Sequence, residues 1–77
     1  MPAVPMSSAE IAEDLTARIR AGEAGYQPGD RLPTYPQLME LYSVSEATIA
    51  RVMLVLRTTG LVVGKPGRGT YVTDSGA

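Results

Sequence analysis

The sequence predicts a mainly α-helical domain of three helices that ends in a small β-hairpin, and three features of the chain predict it. Two capped amphipathic segments lie within residues 32–60, separated by a turn of three residues. A similar capped segment precedes them near the N-terminus. A glycine-rich turn between two short runs of β-branched and aromatic residues follows, which is typical of a hairpin. With 77 residues the chain has room for one domain, and a small one.

The first helix is predicted to begin at Ser7, because Glu10 follows three residues later at the spacing of a capping box. Its apolar residues recur every three or four positions, so one face should be buried. That face comprises Ile11, Ala12, Leu15 and Ile19. Residues 1–6 should form a disordered lead and residues 74–77 a disordered tail, which leaves a domain at 7–73.

Turn chemistry marks residues 26–30, where Pro28 and Gly29 are placed as in a type II turn. The next two residues, Arg31 and Leu32, should form a very short strand that pairs with the hairpin. The sheet is therefore expected to have two or three antiparallel strands.

The second helix is capped by Thr34, and Gln37 completes a capping box. Leu38, Leu41 and Tyr42 recur at i, i+3 and i+4, which predicts one apolar face.

A third helix follows the turn at residues 43–45. Ser45 suits its N-cap, the helix should run through Thr59, and Gly60 suits the left-handed position after its end. Its buried face is predicted at Ile49, Val52, Met53 and Leu56. A short helix, a three-residue turn and a longer helix form a helix-turn-helix, a motif whose second helix enters the major groove of DNA.

The hairpin comes directly after the third helix. Residues 61–63 and 70–72 are its arms, and residues 64–69 form a basic, glycine-rich tip. A helix-turn-helix followed by such a hairpin is a winged helix. The predicted fold class is therefore mainly α with a small β-hairpin wing, a winged helix-turn-helix.

Composition and charge narrow the function classes. The chain has no cysteine and no histidine, so it lacks the commonest metal ligands and the usual general base, and we expect no enzyme and no cofactor. No apolar run approaches the roughly 20 residues that span a bilayer, and no secretory signal is present, so we expect a cytoplasmic protein without a membrane partner.

The net charge is −1, but residues 1–46 carry −4 and residues 47–77 carry +3. The basic half holds the third helix and the wing, as a DNA-binding surface requires.

The stretch from residue 28 to residue 72 resembles the N-terminal DNA-binding domain of the GntR family of bacterial transcription regulators. The resemblance is carried by PGDRLP, LYSVS, LRTTGLV and GRGTYV, and with the preceding helix it covers about residues 7–72. It implies a sequence-specific regulator, such as a repressor, that binds double-stranded DNA. Residues 46–59 would then lie in the major groove and residues 64–69 at the minor groove or the backbone.

Candidate DNA contacts follow from these positions. A recognition helix presents its N-terminal residues to base edges, hydroxyls near its start can bind phosphate, and Ala47 or Ala50 could touch a thymine methyl. In the wing, Gly67 and Gly69 permit close approach, Arg68 can enter a minor groove, and Lys65 can bind phosphate. The candidate set is Thr34, Tyr35, Ser45, Glu46, Ala47, Thr48, Ala50, Arg51, Lys65, Gly67, Arg68 and Gly69.

One departure from the family keeps a second function open. Family members commonly have DNA-contacting arginines at the positions of Pro36, Glu46 and Ala50, and this chain has none there. The alternative is a winged-helix protein-interaction module with weak or no DNA binding. If the chain is a DNA-binding regulator, we expect it to be monomeric by itself and to form a homodimer on DNA, with no site for a small-molecule effector.

Overall fold

The computed structural model describes residues 6–73. It contains α1 (Ser8–Arg20), α2 (Tyr35–Tyr42), α3 (Glu46–Thr58), β1 (Val62–Lys65) and β2 (Gly69–Val72). The predicted fold class is confirmed, with three helices and a two-stranded antiparallel sheet. No helix in this described part of the chain is long and apolar enough to cross a membrane.

The first helix starts with the predicted capping box. The backbone N–H of Glu10 donates to Ser7 Oγ (3.2 Å), and the N–H of Ser7 donates to Glu10 Oε1 (2.9 Å). The predicted face of α1 is buried. The predicted lead at residues 1–5 and the tail at 74–77 lie outside the described residues. Met6, which the sequence assigns to the lead, packs partly buried against the core. It precedes the N-cap, where an apolar residue commonly packs back onto the first turns of a helix.

The second helix is capped as predicted but buries a different face. The N–H of Gln37 donates to Thr34 Oγ1 (3.3 Å), and that of Thr34 to Gln37 Oε1 (2.8 Å). Leu38 is fully buried, whereas Leu41 is 59% exposed, so its predicted burial is wrong. The face that packs is turned around the helix axis toward Met39, which lies partly buried against the core together with Tyr35 and Tyr42.

The third helix begins at the predicted cap, where the N–H of Thr48 donates to Ser45 Oγ (3.3 Å). Helix α3 ends at Thr58, one residue earlier than predicted, and Gly60 has the expected positive φ of 79°. All four predicted core residues of α3 are at most 1% exposed. In the turn before the helix, Ser43 takes the left-handed conformation with φ 55°, which few residues other than glycine adopt.

The wing is a hairpin whose strands pair from Val62↔Val72 to Lys65↔Gly69. Its strands extend into the glycine-rich segment, so only residues 66–68 form the loop. The predicted short strand at Arg31 and Leu32 is a single bridge, Arg31↔Tyr71, flanked by a hydrogen bond from Leu32 N–H to the Thr70 carbonyl (2.8 Å). The wing is thus attached to the linker, the segment between α1 and α2 at residues 21–34.

The core lies between α1 and α3 and is closed at one end by the wing and the linker. Its buried residues from outside the three helices are Leu32, Leu61, Val62 and Val72. At the other side, α2 is joined to α1 by a polar contact: the Tyr42 hydroxyl donates to Asp14 Oδ2 (2.6 Å), which also accepts from Arg18 Nε (3.1 Å). These two hydrogen bonds hold the pKa of Asp14 below its ordinary value, and the bond from Tyr42 has the larger effect.

The two leucines of α2 allow a test of this packing. Leu38→Ala should lower the free energy of unfolding by about 2–5 kcal/mol, because it removes buried methyl groups and leaves a cavity. Leu41→Ala should change it by less than about 0.5 kcal/mol, because Leu41 faces solvent. Urea denaturation of both variants, followed by circular dichroism, measures the difference. Equal losses would mean that α2 packs on the face with Leu41.

Candidate nucleic-acid interface

The outward face of α3 is exposed along its whole length. Glu46, Ala47, Ala50 and Arg51 are all exposed, as predicted from the position of the buried stripe. Leu54 continues this surface and is 63% exposed. The face therefore combines small side chains, one acid and one arginine, and it allows the helix backbone to approach a partner closely.

The start of α3 offers a site for an anion. The first N–H groups of a helix have no intrahelical acceptor and carry part of the helix dipole. Ser45 Oγ takes up one of them by accepting from Thr48, and the two hydroxyls of these residues lie 3.2 Å apart. Glu46 sits in the same first turn, where a carboxylate is favoured by the dipole. Hydroxyl donors and a carboxylate thus lie side by side at this end.

The start of α2 holds the next two candidate residues. Thr34 is exposed, but its hydroxyl is already used in the capping box. Tyr35 is half-buried and packs against the core, while its hydroxyl accepts from Arg57 Nη2 at 3.2 Å. Arg57 is absent from the set predicted from the sequence.

The wing candidates lie together at the tip of the hairpin. The N–H of Arg68 donates to the Lys65 carbonyl (2.9 Å), and Gly67 has φ 74°, which closes a tight turn. Lys65 Nζ lies 5.0 Å from the centroid of the Tyr71 ring, so this lysine is stacked on the strand. Arg68 is exposed on the loop.

Two arginines missed by the sequence analysis also lie at the wing. Arg31 was counted with the acidic half of the chain, but its bridge to Tyr71 places it beside β2. A Cβ added at Gly69 would lie 3.3 Å from Arg31 Nε, so this side chain runs along the glycine. Arg57 lines a depression together with wing residues Lys65 and Gly67. Both positions could have been inferred from the sequence: the predicted short strand places Arg31 beside the wing, and helical spacing from Ala50 places Arg57 on the same side of α3.

The structure thus groups the candidate residues into three neighbouring parts: the outward face of α3, the start of α2 and the wing. The wing and the C-terminal part of α3 share the depression lined by Arg57, and Tyr35 joins the start of α2 to the same arginine. The two added arginines raise the positive charge near the wing, which had been assigned to Lys65 and Arg68 alone.

Comparisons with known proteins identify what this arrangement is similar to. Residues 7–72 match the family model of the bacterial regulatory proteins of the gntR family. An HTH-type transcriptional regulator of Streptomyces coelicolor is 38% identical over 63 residues, 82% of this chain and 23% of the relative. The Uxu operon transcriptional regulator of Escherichia coli is 34% identical over 50 residues, 65% of this chain and 20% of the relative. The chain spans less than a quarter of the length of either relative.

Solved structures show the same fold. A GntR family transcriptional regulator from Listeria monocytogenes has a TM-score of 0.81 at 26% identity, covering 88% of this chain and 58% of the other. The AraR DNA-binding domain, crystallised in complex with operator ORX1, has a TM-score of 0.80 at 28% identity, covering 95% and 93%.

The geometry of the wing predicts which of its glycines is required. Gly69 has φ 117°, which side chains rarely permit, so Gly69→Ala should lower the free energy of unfolding by about 1–3 kcal/mol. Gly64 in β1 is the matched control, because its φ is not positive and a Cβ there meets nothing within 4 Å. Gly64→Ala should be neutral or slightly stabilising. Chemical denaturation of both variants provides the measurement, and equal midpoints would contradict the role of the backbone at Gly69.

Proposed function

Because the chain belongs to the GntR family of bacterial regulatory proteins, we propose that it is a sequence-specific regulator of transcription that binds double-stranded DNA. The observation that carries this proposal is the exposed outward face of α3 beside a basic wing. A domain of the same fold that covers 95% of this chain, that of AraR, was crystallised on an operator.

In this proposal α3 lies in the major groove and the wing lies against an adjacent groove or the backbone. Helix α3 has 13 residues, which at 1.5 Å per residue gives about 20 Å and is enough to cross a groove about 12 Å wide. Ala47 and Ala50 let the helix come close to base edges, where their methyl groups can contact thymine. Ser45 and Thr48 would bind phosphate at the start of the helix, and Arg51 would bind a base edge or the backbone.

The wing would supply two of the cations. Arg68 is on the exposed loop and can enter a minor groove, while Lys65 can neutralise a phosphate. With few cations on the face, each monomer gains little from counterion release. We therefore propose that the protein acts as a homodimer on an inverted repeat, where two such domains bind neighbouring half-sites. A repressor role follows when the operator overlaps a promoter.

The second candidate function is protein interaction, and one observation favours it. Leu54 is 63% exposed on the outward face of α3, and a large apolar side chain at the centre of such a face suits a surface that binds another protein.

A binding experiment separates the two functions. The chain is incubated with a pool of random-sequence duplexes, bound duplexes are selected over several rounds, and the selected duplex is titrated at several salt concentrations. The DNA proposal predicts enrichment of one sequence and an association constant that falls steeply with salt. Absence of enrichment together with a flat salt response would reject that proposal in favour of the interaction module.

Glu46 provides a sharper test of recognition. The helix dipole already accounts for an acid in this first turn, at about 0.3–1 kcal/mol, while a carboxylate facing the groove is repelled by phosphate. We expect Glu46→Ala to tighten binding to both the selected and the unrelated duplex, and to tighten it more for the unrelated one, so that the ratio of the two affinities falls.

The matched control is Glu13→Ala, which removes the same charge from the exposed side of α1 and should leave both affinities nearly unchanged. If Glu46 instead accepts a hydrogen bond from a cytosine amino group, Glu46→Ala should cost roughly 1–3 kcal/mol on the selected duplex only. A selective loss in a competition titration would therefore contradict the expected result.

A further inference from the structure

Arg57 lies on the same side of α3 as the residues proposed to face DNA. It follows Ala50 by seven positions and Glu46 by eleven, spacings that return to one side of a helix after two and three turns. It is exposed, in contrast to the neighbouring core residue Leu56. Along the axis it stands about 10 Å beyond Ala50, at 1.5 Å per residue. A cation therefore extends the proposed DNA face toward the C-terminal end of the helix.

The position of the guanidinium is fixed by Tyr35. Arg57 Nη2 donates to the Tyr35 hydroxyl at 3.2 Å. The body of Tyr35 packs partly buried against the core, so its hydroxyl is held by packing rather than by solvent. A guanidinium has five N–H donors in a rigid plane, and this contact uses one of them. The others stay available to a planar or tetrahedral anion.

Within the described part of the chain, no carboxylate lies within ion-pair distance of Arg57. Among residues 6–73 the only ion pairs within 4.0 Å join Arg18 to Asp14 and to Glu23. A neutral hydroxyl orients Arg57 without neutralising it. The same arginine lines a depression with Lys65, Gly67 and Gly69 of the wing. It thus lies between two parts of the proposed DNA surface, the start of α2 and the wing.

From this arrangement we infer that Arg57 binds a phosphate of the DNA backbone and that Tyr35 positions it for this contact. The inference rests on the proposed function and adds two roles to it. When the N-terminal residues of a recognition helix reach base edges, its C-terminal end meets the backbone, as in homeodomains. A guanidinium binds phosphate through two parallel hydrogen bonds. Arg57 thereby supplies a positive charge for the DNA backbone, which the outward residues Glu46 and Ala50 do not supply.

The salt dependence of DNA binding tests the inference. Each phosphate contact that a cation makes contributes about 0.9 to the slope of log K against log salt. Arg57→Gln should reduce the slope by about that amount on the selected duplex and on an unrelated duplex. The ratio of the two affinities should stay unchanged, because phosphate contacts carry no sequence information. Arg57→Lys, which keeps the charge, should retain the slope.

Tyr35→Phe tests the positioning role separately. It leaves the charge in place and removes only the hydroxyl that orients it. The slope should stay the same, while affinity for both duplexes should fall about two- to tenfold, because the arginine must then be ordered on binding. If the contact between Tyr35 and Arg57 only ties α2 to α3, the thermal midpoint would fall and the affinity at a temperature well below it would not.

The control is Arg20→Gln, which makes the same charge change in the last turn of α1, where Arg20 lines a depression with Val55 of α3 and with no wing residue. It should leave the slope at the wild-type value. An unchanged slope in Arg57→Gln, or an equal change in Arg20→Gln, would overturn the inference. So would a loss confined to the selected duplex, which indicates a base contact. If the wild-type chain binds neither duplex in a salt-dependent way, the proposed function itself fails. If the wild-type chain shows a steep slope and Arg57→Gln leaves that slope intact, only the inference about Arg57 fails.

Discussion

The burial of one stripe of α3 determines what the rest of the molecule can present. Ile49, Val52, Met53 and Leu56 are at most 1% exposed and form the centre of a core that α1 covers on one side. Burying each of these side chains contributes on the order of 1.5–3 kcal/mol, so the helix cannot turn about its axis without a large loss of stability. Since successive residues are 100° apart around a helix, fixing this stripe also fixes the residues that face outward. The core thereby specifies the binding surface.

The helix starts of this small domain are each defined by a side-chain cap. Each of the three helices begins with a Ser or Thr cap, at Ser7, Thr34 and Ser45. A cap of this kind contributes about 0.5–2 kcal/mol, which is considerable beside the 5–15 kcal/mol by which whole domains are stable. A cap defines where a helix starts in the sequence, and the buried stripe of α3 defines which of its residues face outward. Short-range hydrogen bonds and the apolar core thus impose the same register.

Capping preferences and helical periodicity were sufficient to predict the features that depend on residues close together in the sequence. The caps, the stripes of α1 and α3 and the left-handed Gly60 follow from residue types three or four positions apart. The rules failed where distant elements decide the outcome. Leu41 fits an amphipathic pattern, but the face that α2 buries depends on where α1 and α3 lie. Arg57 is oriented by Tyr35, which is 22 residues away in the sequence, and no periodicity links this pair. The outward face of α3, including the side on which Arg57 lies, follows from helical spacing, whereas the contact between Arg57 and Tyr35 does not.

The attachment of the wing has a consequence for how the domain tolerates changes of length. Hydrogen bonds from Leu32 to Thr70 and from Val72 to Asp30 fasten β2 to the linker from Val72 up to Thr70. The loop at residues 66–68 lies at the opposite end, free of this attachment. Adding one residue to each strand would extend the hairpin by about 3.4 Å and exchange its two faces at the tip. Adding two to each would restore the faces and leave the base in place. The reach of the wing is thus adjustable in steps of two residues per strand, independently of the helices.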